Sequence, residues 1–168
     1  MARTLLVAAS MPQAESESTA AMSRSPVAPL LLLEEVRGLL DELAAGRHEA
    51  LIFMTGNSVA SLFEVARELG RHSDLLNALR VVTTACRGPK AAAVLRGLGL
   101  RPTFGERGLF TIPRLIYALS RLELAGRSVV RFNGAPGDAI ANELRAQRAT
   151  LREFSIHHLG SRRAGLPD

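Results

Sequence analysis

The run Leu51-Ile52-Phe53-Met54-Thr55-Gly56-Asn57-Ser58-Val59 constrains the fold more than any other stretch of the chain. Four consecutive apolar residues suit a strand buried on both faces, and they stop abruptly at a small polar turn before a helical pattern begins. Gly56 permits the chain reversal, while Thr55, Asn57 and Ser58 bring hydroxyl and amide groups to the start of the next helix. Polar groups therefore collect at the carboxyl end of a buried strand. In open α/β sheets that edge is where ligands bind, because helix N-termini leave backbone N–H groups unpaired and present a partial positive charge.

The same sequence of strand, glycine turn and helix recurs downstream. Val81 to Thr84 is β-branched and reads as a strand running into Arg87-Gly88-Pro89-Lys90 and an alanine-rich helix that ends at Gly97 or Gly99. Ser128 to Phe132 reads as a strand ending in Asn133-Gly134-Ala135-Pro136-Gly137, after which Asp138 caps a helix to about Gln147. Between these lie a weak short strand, Arg101 to Phe104, and a helix from Thr111 as N-cap through Leu124; Thr150 to Ile156 supplies a last strand. A helix is expected from Ser58 to Leu69, stopped by Gly70, with a short helical turn over Asp74 to Leu79 and an earlier helix between Glu34 and Ala45. Strands alternating with helices at this spacing imply βαβ crossovers and an α/β, flavodoxin-like fold: a parallel sheet of about five strands with helices on both faces.

The ends of the chain read differently. Thr4 to Ala9 is a short apolar strand candidate, and Pro26 and Pro29 bracket a segment expected to be extended, as in a linker. Residues 1–28 are accordingly expected to be an N-terminal strand and linker, 29–158 the α/β lobe, and 159–168 a polar, disordered tail with nothing to pack.

In that topology the turns at Thr55, Arg87 to Lys90 and Asn133 to Gly137 share one edge of the sheet, and with Arg131 they make an anion-receptive rim. Charge points the same way: 21 Lys and Arg stand against 16 Asp and Glu, and the excess is mostly arginine, which pairs bidentately with carboxylate or phosphate. Nucleic acid is not the expected partner, because aromatics are 4% of the chain, with no Trp and one Tyr, and stacking platforms are missing. Plainer readings stand beside these: Thr55 and Asn57 cap a helix, Gly88-Pro89 starts one, and Lys90 and Arg131 are solvated charges.

Other chemistries are excluded by what the chain lacks. Gly56, Gly88, Gly134 and Gly137 form neither a GxGxxG nor a Walker A arrangement. His157 and His158 would point to opposite sides of a strand, without Cys, Asp or Glu at ligand spacing, so no metal is expected. The single Cys86 forms no internal disulfide and reads as a small core or turn residue in a reducing, cytoplasmic setting. No apolar run approaches the ~20 residues of a membrane span. Without a nucleophile elbow or a spaced carboxylate pair, the chain reads either as a binding domain or as an enzyme that holds a reactive substrate in one shape while charge develops.

Four segments in order, Ala50 to Val59, Val82 to Leu95 with Gly99-Leu100, Thr111 before its helix, and Gly126 to Gly134, resemble the uroporphyrinogen-III synthase family over roughly Pro29 to Ile156. The resemblance implies a cofactor-independent lyase of tetrapyrrole (porphyrin, heme) biosynthesis that cyclises hydroxymethylbilane, losing water and inverting the last pyrrole ring. It implies two α/β domains on a flexible linker with a polycarboxylate substrate between them. Position by position it would place Thr55, Gly56, Asn57, Arg87, Gly88, Lys90, Thr111, Arg131, Asn133 and Gly134 at the substrate, with no catalytic acid assigned. His157 would stand where the family usually carries a tyrosine. The family's return segment is not found before Asp168, so Thr4 to Ala9 would belong to an incomplete lobe that a second chain or oligomer would complete. The alternative expectation is a non-catalytic tetrapyrrole-binding or partner-binding module of the same descent.

Overall fold

The computed structural model describes residues 27–105 and 111–156. The strand candidate Thr4 to Ala9, His157 and the tail from Gly160 fall outside them. The first helix, α1 (Val27–Ala44), starts earlier than expected and takes in the segment that Pro29 was expected to hold extended. Proline is tolerated there because the N–H groups of a first helical turn have no intrahelical partner to lose.

Four strands, β1 (Ala50–Phe53), β2 (Thr83–Cys86), β3 (Ser128–Phe132) and β4 (Thr150–Phe154), pair in the order β2-β1-β3-β4, every neighbour parallel. This is the flavodoxin-like order, whose crossovers change side between β1 and β3. Helices α2 (Gly56–Glu68), α3 (His72–Val81), α4 (Pro89–Gly97), α5 (Ile112–Ser120) and α6 (Ala139–Ala146) complete the described elements. The expected fifth strand reduces to a single parallel bridge between Phe104 and Ala85. Pro102 and Gly105 bound it on either side, and Gly105 turns at φ 118 against Cys86, so no ladder extends.

Side-chain alternation along β1 divides the core in two. Leu51 and Phe53 face a cluster shared with α1, α2, α3 and α4, whereas Ala50, Ile52 and Met54 face one shared with α5 and α6. Every residue of β1 is buried, each large side chain contributing about 1.5–3 kcal/mol of burial. At the carboxyl end Cys86, Phe53, Phe132 and Phe154 occupy one register row, with the Phe53 and Phe132 rings stacked at 4.9 Å and Phe132 and Phe154 at 5.6 Å. That row is the floor beneath the loops.

Two boundaries differ from expectation. The helical turn at Asp74 is a ten-residue helix that runs through Val81, and β2 begins only at Thr83. Val81 is 89% exposed, so its β-branched side chain signalled a strand while the amphipathic pairing of Leu75 and Leu79 kept the helix going.

Candidate functional site

Because all strands are parallel, the chain leaves β1, β2 and β3 at the same edge, and the helices α2, α4 and α6 begin there. Each loop continues the ladder of its neighbour: Met54 N–H donates to Phe132 O at 3.3 Å, Arg87 N–H to Phe53 O at 2.9 Å, and Asn133 N–H to Phe154 O at 2.8 Å. The loops are therefore stepped across the sheet by backbone hydrogen bonds. They do not scatter to opposite ends.

The first two loops form one surface. Thr55 is the N-cap of α2, its hydroxyl accepting from Ser58 N–H at 3.1 Å, while Ser58 Oγ donates to Thr55 O at 2.6 Å. The capping reading of Thr55 holds, and its own hydroxyl proton has no acceptor among the described residues. Gly88, at φ 111, is the N-cap of α4, with Pro89 behind it. A Cβ at Gly56 would lie 3.2 Å from Lys90 Cβ and 3.3 Å from its carbonyl carbon, so the two helix starts touch. Thr55, Asn57, Arg87 and Lys90 are exposed around that contact, and neither cation has an ion-pair partner among the described residues. Two adjacent helix N-termini with two unpaired cations can hydrogen-bond a carboxylate or phosphate. Thr111 is exposed at the N-cap of α5, without a side-chain capping bond.

The third loop differs from the expected open rim. Arg131 is not a solvated charge: it is 0% exposed and held from three sides. Nη1 donates to Asp138 Oδ1 at 2.6 Å, Nη2 to Ala135 O at 2.9 Å and to Glu153, and Nε to Glu153 at 3.0 Å. Burial works against the guanidinium charge, yet the bonds and charges of Glu153 and Asp138 outweigh it and hold the Arg131 pKa above its ordinary value. Asp138 is in turn held below the usual carboxylate range: burial opposes ionisation, but the Ala141 N–H that it caps and Arg131 prevail. Asn133 turns at φ 58 and binds Ile156 through both ends of its carboxamide.

Glu153 was missed in the sequence, although a signal was present. Arg131 and Glu153 each stand three residues into strands that open on Ser128 and Thr150, and parallel pairing in that register sets them side by side. A second network, at the amino edge, was also missed. His48 lies between Ser128 Oγ at 2.9 Å and Glu42 Oε2 at 2.7 Å, and Arg152 donates to the same carboxylate at 2.5 Å. The Ser-His-Glu order resembles a nucleophile relay, but His48 has a 5% exposed side chain beneath α1, so the network docks that helix onto the sheet. Cys86 is buried, its thiol pushed up to about 12, and it is no nucleophile. A cavity of about 510 Å³ between Ser120 and Gln147 also lies at the amino edge, away from every residue expected at the site.

Among the described residues no group could hold a metal, and no helix is long and apolar enough to cross a membrane. The family model HEM4, uroporphyrinogen-III synthase HemD, matches residues 24–164. The uncharacterized protein YjjA of Bacillus subtilis (strain 168) is 28% identical over 119 residues, which cover 70% of this chain and 44% of that protein. A crystal structure of uroporphyrinogen III synthase from the extremely thermophilic bacterium Thermus thermophilus superimposes with a TM-score of 0.56 at 26% identity, over 73% of this chain and 46% of that one. A further Thermus thermophilus uroporphyrinogen III synthase gives 0.55 at 26% identity, over 74% and 44%. The chain thus spans less than half the length of these relatives. Since the family match runs through every described element, from α1 to the end of β4, the chain belongs to the uroporphyrinogen-III synthase family.

Proposed function

We propose that the chain acts on hydroxymethylbilane as a uroporphyrinogen-III synthase, closing the linear tetrapyrrole with inversion of its last ring and loss of water. The observation that carries this is the paired start of α2 and α4, where Thr55, Asn57, Arg87 and Lys90 remain exposed around the Gly56–Lys90 contact in a chain of this family. A substrate bearing many carboxylates matches two helix N-termini and two uncommitted cations. Gly88 and Gly134 would let the backbone approach the substrate, Thr111 would add a hydroxyl from α5, and His157 would keep the place that the resemblance gives it. Catalysis in this reading is mainly shape: the tetrapyrrole is held curved, so that the carbon losing its hydroxyl meets the inverted ring and the new carbon–carbon bond forms as water departs. Arg131 and Asn133 would serve the site from behind it. The family supports a tetrapyrrole substrate and gives no support to a second chain.

A non-catalytic tetrapyrrole-binding module is the second reading. It is favoured by the internal commitment of Arg131 and Asn133, which among the described residues leaves the starts of α2 and α4 as the cluster of exposed ligating groups. Incubation with hydroxymethylbilane and chromatography of the oxidised products separates the two. The synthase yields the type III isomer, whereas type I alone, with a linear tetrapyrrole bound, is the result of the module.

A further inference from the structure

We propose that Arg131 and Asn133 are positioning residues and not ligands: together they fix loop 133–138 and the chain at Ile156 as one preset wall of the site, which meets substrate through its backbone. This rests on the carboxyl edge being a tetrapyrrole site.

Asn133 adopts φ 58, a conformation that asparagine tolerates better than most non-glycine residues. In that pose its carboxamide lies along the backbone of Ile156 as a neighbouring strand residue would, donating to the carbonyl at 2.7 Å and accepting from the N–H at 2.8 Å. With Asn133 N–H on Phe154 O at 2.8 Å, the β3–β4 pairing is carried past the ends of both strands. Arg131 grips the same loop from below. It bonds Ala135 O in the loop, Asp138 at the start of α6 and Glu153 on β4. Four of the five guanidinium N–H donors are thereby used inside the fold. Gly134 lies directly against the guanidinium, where a Cβ would fall 2.0 Å from Nε. Only glycine lets the loop rest there, so loop shape and buried cation are one device.

The probe is the hydroxymethylbilane analogue that lacks the hydroxymethyl group and cannot cyclise, with its affinity measured at several sodium chloride concentrations. A cation that touches ligand carboxylates steepens the salt dependence, and its removal flattens it. Arg87→Gln and Lys90→Gln should therefore flatten the curve. Asn133→Ala, Arg131→Gln and Gly134→Ala should each weaken binding about tenfold with the slope of the parent chain. Gly134→Ala moves the loop while keeping the cation, and so stands in should Arg131→Gln not fold. Amide exchange at Ile156 should quicken about tenfold in Asn133→Ala, which removes the acceptor of that N–H. A flattened slope in Arg131→Gln, or unchanged exchange at Ile156 in Asn133→Ala, overturns the proposal. If the parent chain does not bind the analogue, the synthase reading fails, and exchange at Ile156 decides the positioning role alone.

Discussion

Replacing Arg131 by glutamine removes the cation that joins β3, β4 and the start of α6. Glu153 and Asp138 are then left without their shared cation, and Ala135 O loses its donor. Breaking a buried ion pair costs about 3–5 kcal/mol when both partners are dry. Here the carboxylates keep 36% and 23% side-chain exposure and recover some hydration, so the lower end, about 3 kcal/mol, applies. At roughly 3 °C per kcal/mol for a lobe of this size, Tm falls by about 10 °C. Far-UV circular dichroism in a urea series is the suitable assay, since the chain has no Trp to report by fluorescence. The exposed Arg87→Gln is the control and should stay within about 0.5 kcal/mol of the parent. Adding Glu153→Gln should recover part of the loss, with a coupling of about 1–3 kcal/mol. A midpoint for Arg131→Gln as close to the parent as that of Arg87→Gln would refute the clamp.

Gly56→Ala places a methyl group 3.2 Å from Lys90 Cβ, so α4 must shift, while helix propensity favours alanine by up to about 1 kcal/mol. The urea midpoint should barely move as these offset, but titration calorimetry with the non-cyclising analogue should show about a tenfold weaker affinity. Cys86 should resist iodoacetamide in the folded chain near pH ~8 and react promptly in urea, because burial pushes its thiol up to about 12. Its contribution to stability is complete below the ordinary thiol pKa and is lost as pH rises towards the folded value. Asp138 has the opposite sign: its depressed pKa supports the fold above the ordinary carboxylate value of about 3.9 and is lost as pH falls through the lower folded value. Thermal melts should show the parent losing stability below about pH 4 more steeply than Asp138→Asn, which retains the cap without the charge.

What the sequence made legible was periodic or punctuated. Ser128 to Phe132 is a strand at the expected residues, Thr55 and Asp138 cap the expected helices through their side chains, and Gly70 turns at φ 68 where α2 was expected to stop. The parallel sheet followed from alternation alone. Misreadings arose where a local preference met a tertiary contact. Val81 looked like a strand but ends α3, and Arg101 to Phe104 pairs at one residue only. At the site, the residues before α2 and α4 could be found because glycine and small polar residues mark such turns. Arg131 could not be placed correctly from its own segment, since its partners come from β4 and from the cap of α6, and a pairing register is a property of two segments.

A polycarboxylate tetrapyrrole received at the joined starts of α2 and α4 would change the surroundings of their backbone amides. Amide chemical-shift mapping during titration with the non-cyclising hydroxymethylbilane analogue tests this most directly. Saturable shifts should centre on Gly56, Asn57, Lys90 and Ala91, with smaller ones at Gly134 and Ala135. Shifts confined to the amino-edge cavity between Ser120 and Gln147, or none at the two helix starts, would contradict binding there.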